Sequence, residues 1–304
     1  MTVPEGASGG VVAAVVVTYN AMPWIEQCLE SVAGCETVVV DHGSTDGTLE
    51  LVRERFPAAR VIEQENLGLA AGWNRGLRET STPFVLIHNA DAWVVGDAVE
   101  RMLALMEESP RAAVVGPSTR GLDGKRQQSV RGFPTLWRLA TEYFFLRKLA
   151  PRSRALNAFY AGGFDYDRVY EAEWVMGACM LVRRAAVDDV GPLDESFFLF
   201  SEETDWQYRF RQAGWTVLFC PDAEVVHVGG VAHGGRMFRE NVRGHLRFMA
   251  KHHGPHDAER TRKLLLAALR LRSLLYHGAR GRTYRETASW LASASADRLL
   301  EERR

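Results

Sequence analysis

The stretch 84–93 contains Asp91, the residue best placed to take part in chemistry. The stretch begins with four apolar residues, as a fully buried strand does, and a polar turn follows that leads to this carboxylate. In open α/β sheets, ligands bind at the carboxyl ends of the strands, so Asp91 could hold a divalent ion together with a diphosphate. From this stretch alone, an equally good interpretation is that Asp91 caps a helix beginning near Gly96 or Asp97.

Two other polar clusters also follow aliphatic runs. One consists of Thr18, Tyr19 and Asn20, and the other spans 41–46 and is rich in glycine and carboxylate. At a strand end, Asp41 can accept hydrogen bonds from the edge of a pyrimidine base or from a ribose hydroxyl. Around a later helix start, glycine would let the backbone approach a ligand closely, although simple turn and cap chemistry is favoured for each of these residues singly. The residues concerned are Asn66, Gly68, Gly72, Asn74 and Gly76.

Three acidic residues, Glu202, Glu203 and Asp205, stand at the start of a predicted helix. A solvated helix N-terminus, favoured by the helix dipole, is one explanation for them. The aromatic run 197–200 just before them places the acids against an apolar wall, which favours a functional carboxylate. His227 stands between valines on a predicted strand, where a buried structural histidine is the alternative to a functional one.

The elements that position these residues alternate between strand and helix. Aliphatic runs predict strands over 11–17, 38–40, 60–65, 83–88 and 112–115, and helices are predicted over 23–32, 48–56, 68–79 and 97–108. This alternation predicts an α/β fold with an open, mainly parallel sheet flanked by helices. The polar clusters should therefore meet at one edge of the sheet.

The second half of the chain is less regular. Residues 118–170 include several glycines and an aromatic, basic run, which predicts an insertion on the acceptor side of a site. Strands are predicted over 174–182, 215–220 and 223–228, and a helix over 201–212. From 237 onward, helix is predicted in three pieces broken near 254–255 and 278–281. We accordingly assign 1–235 to the main domain and 236–304 to a basic, helical C-terminal extension.

In their order and spacing, these motifs closely resemble the family 2 glycosyltransferases of the GT-A fold, and most of all their rhamnosyltransferase-type bacterial members. The resemblance covers about 11–235. The first-half motifs are Val-Val-Thr-Tyr-Asn at 16–20, Val-Val-Asp-His-Gly-Ser-Thr-Asp-Gly-Thr at 39–48, Asn-Leu-Gly at 66–68, Asn-Arg-Gly at 74–76 and Asn-Ala-Asp at 89–91. The second-half motifs are the run from Gly191 to Trp206, Ala-Gly-Trp at 213–215 and Val-His-Val-Gly-Gly at 226–230.

The resemblance implies a role for each matched position. It makes Asp91 and His227 the metal site, Glu203 the catalytic base and Glu202 its acidic neighbour. The nucleotide-binding set that it implies is Thr18, Tyr19, Asn20, Asp41, Gly43, Ser44, Asn66, Gly68, Asn74 and Asn89. For the acceptor or the transferred sugar we predict Trp93, Gly177, Asp205 and Trp206.

Three positions depart from the family pattern. His42 stands where asparagine is common, and Asn89 replaces the first acid of the DxD motif, which weakens metal coordination. In the pair Glu202-Glu203 a glutamate replaces the usual aspartate, which changes the reach of the base.

The reaction that the resemblance implies is an inverting, metal-dependent sugar transfer. The donor would be a nucleoside-diphosphate sugar, either dTDP-rhamnose-like or UDP-linked, and the acceptor a hydroxyl of a glycan or lipid-linked saccharide. Mg²⁺ or Mn²⁺ on Asp91 would stabilise the departing diphosphate, and Glu203 would take the acceptor proton. The alternatives are a sugar nucleotidyltransferase and a non-catalytic carbohydrate- or nucleotide-binding protein. The first is disfavoured because the loop after the first strand has no Lys or Arg to hold a triphosphate.

Composition and missing motifs disfavour several other classes of protein. The chain has 304 residues, of which 46% are hydrophobic and 25% charged, as is ordinary for a globular protein. No GxGxxG follows the first strand, which disfavours a dinucleotide oxidoreductase, and we expect no nucleic-acid partner. No signal-peptide pattern or membrane-spanning run is present and the four cysteines form no CxxC pair, so we expect a cytoplasmic protein with reduced thiols.

Charge is distributed unevenly along the chain. The net charge is −1, but residues 236–304 contain 16 Lys and Arg against 7 Asp and Glu. Such a basic segment suits contact with an anionic membrane surface, and solvated helix faces or a homodimer interface are the alternatives.

Overall fold

A computed structural model describes residues 10–229 and 235–301 of the chain. Gly230, the last residue of the motif at 226–230, lies outside the described residues. The chain divides into two compact units. Unit 1 comprises Met1–Val130, Asp165–Phe198 and Glu203–Gly229, and unit 2 comprises Arg131–Phe164, Leu199–Glu202 and Gly230–Arg304.

Unit 1 is built around a nine-stranded sheet with the order β3-β2-β1-β4-β10-β6-β11-β5, and β8 pairs with β11. Within the described part of the chain, six of these strands run in one direction and β5, β8 and β10 run in the opposite one. The predicted open, mainly parallel sheet is thereby confirmed. The strands are β1 (Val12–Thr18), β2 (Glu36–Asp41), β3 (Arg60–Glu63), β4 (Phe84–Asn89), β5 (Ala92–Val95), β6 (Ala112–Arg120), β8 (Tyr170–Ala172), β10 (Cys179–Arg183) and β11 (Thr216–His227), while β7 (Val130–Arg131) and β9 (Trp174–Val175) form a separate pair.

Helices cover both faces of this sheet. They are α1 (Ile25–Glu30), α2 (Thr48–Arg55), α3 (Leu69–Arg78), α4 (Ala98–Glu108), α6 (Arg184–Val190) and α7 (Glu202–Gln212), whose first residue belongs to unit 2. All seven residues of β1 are buried, because this strand is central and has a helix-covered face on each side. On one face Val16 packs with α1 and α2, whereas on the other Val15 and Val17 lie directly under α3.

Glycines let α3 lie close to β1. A Cβ on Gly76 would be 2.2 Å from the side chain of Val15, and one on Gly72 would be 2.8 Å from that of Val17. These two glycines therefore serve helix–sheet packing rather than the close approach of a ligand.

Unit 2 is helical, with α5 (Leu136–Tyr143), a 3₁₀ turn (Leu146–Lys148), α8 (Gly235–His253), α9 (Pro255–Leu275), α10 (Gly278–Ser293) and α11 (Ala296–Glu301). Arg272 of α9 joins several of its elements. This side chain donates hydrogen bonds to the carbonyls of Glu142 and Tyr143, and its guanidinium lies 4.3 Å from the ring centre of Phe145. Within the described residues, no helix has the length and apolar character needed to cross a bilayer.

Several predicted elements differ from the observed ones. The strands predicted over 215–220 and 223–228 form one strand, β11, whose pairing register shifts between Cys220 and Glu224. Pro221 lies within this irregularity, where its missing N–H interrupts no regular ladder. Strand β5 and helices α5 and α6 were not predicted, and the strand predicted over 174–182 is divided into β9 and β10.

Candidate active site

The loops that follow β1 and β2 are joined by hydrogen bonds at the carboxyl edge of the sheet. Thr18 and Asp41 end their strands side by side. The Asn20 N–H donates to Ser44 Oγ at 2.9 Å, and the Thr45 N–H donates to Asn20 Oδ1 at 2.8 Å. The two predicted polar clusters therefore form one structure, in which Gly43 and Tyr19 are exposed.

Asp41 organises its own loop. Its carboxylate accepts hydrogen bonds from the backbone N–H groups of Gly43 and Ser44, at 3.0 and 2.9 Å, and from the Ser44 hydroxyl at 2.5 Å. Asp41 is only 1% exposed. A carboxylate has about four acceptor positions, so these bonds use most of them. The predicted contact between Asp41 and a base stays a prediction, and the structure gives this residue a role in shaping the loop.

The Thr18 hydroxyl is placed differently. Thr18 is buried, and its Oγ1 has no hydrogen-bond partner among the residues that the structure describes. Burying a hydroxyl without a partner costs about 1–3 kcal/mol. Thr18 therefore has an unmet hydrogen bond beside Asp41, and its predicted contact with a nucleotide stays a prediction.

Asp91 and His227 lie together. Asp91 occupies the turn between β4 and β5, and β11 runs beside β5 so that His227 pairs with Ala92. Asp91 Oδ1 is 3.6 Å from His227 Nε2. The Gly229 N–H donates to Asp91 Oδ2 at 3.3 Å, and the Val228 N–H donates to the Asp91 carbonyl at 3.0 Å. The end of β11 thus fixes the turn that contains Asp91.

The environment of His227 disfavours its charged form, and its ring has a second hydrogen-bond partner. Burial lowers the pKa of His227 below its ordinary value, although the negative charge of Asp91 opposes this shift. The imidazole is therefore neutral at neutral pH. Its Nδ1 lies 3.0 Å from Oε1 of Gln127, which was not predicted as a site residue. Gln127 is 100 residues away in an irregular segment, so no feature of the sequence indicated this contact.

The three acids of α7 are in different environments. Glu202 and Asp205 are buried, and Asp205 forms an ion pair with Arg209 at 2.9 Å. Glu203, in contrast, is partly exposed. A Cβ on Gly177 would lie 3.4 Å from the Glu203 side chain and 2.9 Å from the ring of Trp73. Gly177 therefore lets the stem of Glu203 and the ring of Trp73 pack closely against this segment.

One segment connects Gly177 to the turn of Asp91. The Asn89 N–H, at the end of β4, donates to the carbonyl of Ala178 at 3.0 Å. Ala178 follows Gly177 directly, and Asn89 lies two residues before Asp91. The segment beside Glu203 is thus hydrogen-bonded to the end of β4, two residues before Asp91.

Four predicted ligand contacts need correction. The Asn74 amide is occupied by Leu193 and Glu195, with three bonds of 2.9 Å, so Asn74 anchors a turn rather than a nucleotide. Gly68 adopts φ +100, and a Cβ there would lie 2.4 Å from the backbone oxygen of Phe198, so this glycine serves packing.

The other two corrections concern α7. Trp206 is fully buried and donates from Nε1 to the Gly191 carbonyl at 2.9 Å, so its ring cannot stack on a sugar. Asp205 is fully buried in its ion pair with Arg209, so it cannot orient an acceptor. Both residues support the helix that presents Glu203.

Asn66 and Trp93 are the remaining residues that were predicted to contact ligands. Asn66 is exposed and accepts a hydrogen bond from the Gly68 N–H at 3.2 Å. The ring of Trp93 stacks on that of Trp24 with a centroid distance of 6.1 Å. Their contacts with ligands stay predictions. Within residues 10–229 and 235–301, no group of three or more His, Cys, Asp or Glu side chains is arranged to hold a metal ion.

The sequence profile of "Glycosyl transferase family 2" matches residues 13–191, which is more than half of the chain. The N-acetylglucosaminyl-diphospho-decaprenol L-rhamnosyltransferase of Mycobacterium tuberculosis is 30% identical over 234 residues, covering 70% of this chain and 74% of that protein.

Solved structures share the fold. The mannosyltransferase PcManGT from Pyrobaculum calidifontis, in complex with GDP-Man and Mn²⁺, aligns with a TM-score of 0.57 and 20% identity over 97% of this chain and 79% of its own. The structure of GalNAc-T7 with UDP, GalNAc and Mn²⁺ aligns with a TM-score of 0.60 and 12% identity over 98% of this chain, which spans 57% of the GalNAc-T7 chain. The predicted GT-A fold is confirmed. This chain belongs to glycosyl transferase family 2 and is a glycosyltransferase.

Proposed function

We propose that this glycosyltransferase is inverting and metal-dependent, and that it moves a deoxyhexosyl or hexosyl group from a nucleoside-diphosphate sugar to a hydroxyl of a lipid-linked saccharide or glycan. The observation that carries the proposal is the pairing of Asp91 with His227 just beyond the end of β4, and it is supported by the place of Glu203 beside Gly177, whose neighbour Ala178 is hydrogen-bonded to the end of that strand.

Asp91 and His227 fit a divalent cation. A carboxylate oxygen and an imidazole nitrogen 3.6 Å apart are close enough for one ion, with bonds of about 2.1 Å, to contact both. Both are electron-pair donors if His227 Nε2 is unprotonated. Two protein ligands leave coordination positions for diphosphate oxygens and water, as in Mg²⁺ sites that also bind phosphates. Such an ion would offset the charge that develops on the departing nucleoside diphosphate.

Glu203 is the candidate general base. An attacking hydroxyl must lose its proton, and Glu203 is the one acid in the first turn of α7 that is not buried. Packing of its stem against Gly177 fixes the position of Glu203 beside the segment that is bonded to the end of β4. A single base and an in-line displacement lead to inversion at the anomeric carbon.

The loops after β1 and β2 are the candidate nucleotide site. The unpartnered, buried hydroxyl of Thr18 and the exposed ring of Tyr19 lie next to Asp41 in this region. A pyrimidine base could bond with the first and stack on the second. We therefore propose a uridine or thymidine diphosphate donor.

The relative from M. tuberculosis supports a narrower choice. Its name describes rhamnosyl transfer to a diphospho-decaprenol-linked N-acetylglucosamine. By similarity, we propose a dTDP-rhamnose-like donor and a polyprenyl-diphosphate-linked acceptor for this chain.

Binding measurements test the proposal. We expect calorimetry of the full chain to show tight binding of dTDP or UDP only when Mn²⁺ or Mg²⁺ is present, and we expect Asp91→Ala to abolish that metal dependence. Thr18→Val should weaken nucleotide binding by roughly tenfold, since it removes one hydrogen bond worth about 1–1.5 kcal/mol. Metal-independent binding of the same strength would refute metal dependence. Binding of neither nucleotide would refute the donor assignment and favour a different donor class.

We also propose that unit 2 contacts an anionic membrane surface. Three leucines near the end of α9 are exposed, namely Leu271, Leu274 (75%) and Leu275 (58%), whereas Leu265 and Leu269 of the same helix are buried. Leu149 is 77% exposed, and Phe145, four residues before it, packs on Tyr276 just after α9. These four exposed leucines form the apolar patch of unit 2.

Charge around the patch favours an anionic partner. Residues 260–285 contain eight Lys and Arg and no Asp or Glu. Of these, Arg260, Arg262 and Lys263 pair with nearby acids and Arg272 is buried, which leaves Arg270, Arg280, Arg282 and Arg285. Exposed leucines on such a basic stretch of chain suit a bilayer that contains anionic lipids, where each cation near the surface contributes about 1 kcal/mol.

Cosedimentation with vesicles tests this contact. We expect binding to phosphatidylglycerol-containing vesicles and much weaker binding to pure phosphatidylcholine. The double variant Leu274→Ser/Leu275→Ser should bind at least tenfold more weakly, because partial burial of each leucine contributes roughly 1 kcal/mol. The matched control is Leu122→Ser, which changes an equally exposed leucine (57%) of unit 1. If the double variant binds vesicles unchanged but converts a dimer to a monomer, the patch is a homodimer interface instead.

A further inference from the structure

We propose that Gln127 is a positioning residue that fixes the tautomer and the orientation of His227, so that Nε2 presents its lone pair to the cation site. This inference rests on the proposed metal role of Asp91 and His227. It concerns the side chain of Gln127, which contacts both the ring and the backbone of the histidine.

The backbone contact settles which way the amide of Gln127 points. Its nitrogen, Nε2, donates to the carbonyl oxygen of His227 at 2.8 Å. With the amide reversed, two oxygens that cannot donate would face each other. Oε1 is therefore the atom that lies 3.0 Å from Nδ1 of the imidazole.

The orientation of the amide in turn determines the tautomer of His227. An amide oxygen only accepts, so Nδ1 must carry the proton in this hydrogen bond. In the neutral ring Nε2 then bears a lone pair, and it is Nε2 that lies 3.6 Å from Asp91 Oδ1. Two electron-pair donors at this distance repel each other unless a cation lies between them. The tautomer set by Gln127 is the one that a metal ion requires.

Gln127 is itself held in place. Its N–H donates to the Thr119 carbonyl at 2.8 Å, and its carbonyl accepts from the Ser129 N–H at 2.9 Å. It is partly buried, whereas its neighbours Arg126 and Gln128 are exposed. The backbone of Gln127 is thus fixed against the end of β6, and its side chain is held by its two contacts with His227, as expected of a group that orients a metal ligand.

Binding of Mn²⁺ tests the inference without turnover. Free Mn²⁺ would be measured by electron paramagnetic resonance during titration of the full chain with MnCl₂ in the presence of saturating dTDP or UDP. We expect Gln127→Leu to weaken Mn²⁺ binding by about 10–100-fold, as the loss of a partner of a metal-bound histidine does. Gln127→Glu should restore only part of the affinity, because one carboxylate oxygen still accepts from Nδ1–H but the other replaces the donor that faces the His227 carbonyl at 2.8 Å. Gln128→Leu, the same change at the exposed neighbour, should leave the affinity unchanged.

A double-mutant cycle separates positioning from a general structural effect. If Gln127 acts through His227, Gln127→Leu should add nothing to the loss caused by His227→Ala. A further loss of the full size seen in the single variant would overturn the inference. Wild-type affinity in Gln127→Leu, with a clear loss in His227→Ala, would overturn the inference and leave the proposed ligand role of His227 intact. Wild-type affinity in His227→Ala would refute the proposed ligand role of His227 and the inference with it.

Nitrogen NMR of the metal-free protein gives an independent measurement. With ¹⁵N-labelled histidine, we expect His227 to show a protonated Nδ1 in the wild type and a mixture of tautomers in Gln127→Leu. A protonated Nε2 in the wild type would contradict the inference.

Discussion

Replacing Glu203 with glutamine tests the assignment of the base most directly. The change keeps the size of the side chain and removes its ability to accept a proton. Glu203 is partly exposed on the first turn of α7, so the substitution should leave packing and folding intact. It does not alter the groups at Asp91 or Thr18, so donor and metal binding should also be retained.

The expected loss of rate follows from the role assigned to the carboxylate. A positioned general base contributes about 10²–10⁴-fold to the rate. This factor corresponds to roughly 3–5 kcal/mol of transition-state stabilisation. The variant should therefore lose two to four orders of magnitude in kcat with little change in KM. The assay is single-turnover transfer from a radiolabelled nucleotide sugar to a lipid-linked acceptor, with donor affinity measured separately.

Asp205→Asn is the matched control, because it makes the same chemical change two residues further along α7. Asp205 is fully buried and paired with Arg209, so its loss should destabilise the fold by about 2 kcal/mol. Folded protein should retain transfer within a few-fold of the wild type. Full turnover in Glu203→Gln would show that the assigned base is wrong. An equal loss of kcat in both variants would show that partial exposure is not a valid reason to choose Glu203 over Asp205 as the base.

Two further predictions concern stability. Burial lowers the pKa of His245 to about 4, so below pH 6.5 the unfolded chain binds a proton that the folded chain does not, and stability falls on acidification. In urea titrations, the difference in unfolding free energy between wild type and His245→Gln should therefore change by about 1.4 kcal/mol per pH unit between pH 6.5 and 4. A difference that does not vary with pH would contradict this. Gly68→Ala should lower the free energy of unfolding by roughly 3 kcal/mol or more, because its Cβ would overlap the backbone of Phe198. Gly96→Ala, at φ +59 with open space around it, should lower it by only about 1 kcal/mol. Equal shifts in thermal unfolding for the two variants would refute the packing role of Gly68.

The carboxyl edge of the sheet could be predicted from the sequence because aliphatic runs end abruptly there. Thr18, Asp41 and Asp91 each follow such a run, and each lies at or just beyond a strand end. Strand β5 was missed because its four residues, although apolar, follow the turn of Asp91 immediately and are too few to show an alternating pattern of their own. Pro221 suggested a break in β11, whereas the strand continues through an irregularity in its pairing. Local patterns predict where a strand ends better than whether a strand tolerates an interruption.

Contacts over long sequence distances were less predictable. Asn74 belongs to a motif at a helix start, but its partners lie 119 and 121 residues away in a turn. Gln127 and His227 are 100 residues apart and are brought together by the pairing of β6 with β11. In their local sequence, Asn74 and Gln127 both look like solvated surface amides. Only the order of strands in the sheet distinguishes the amide of Asn74, which anchors a turn, from that of Gln127, which lies beside the proposed metal ligand His227.

The motif residues divide into two groups according to what their polar atoms already bind. Asp41 and Asn74 use most of their hydrogen-bonding capacity within the protein, so substituting them should alter loops before it alters chemistry. Thr18 has a buried oxygen without a partner in the described structure, and His227 directs a ring nitrogen toward the carboxylate of Asp91. An unmet hydrogen bond or an uncompensated pair of electron donors costs free energy in the isolated chain, and a bound nucleotide and cation would remove that cost. The atoms that carry these costs are therefore the ones that we propose bind the donor and its metal.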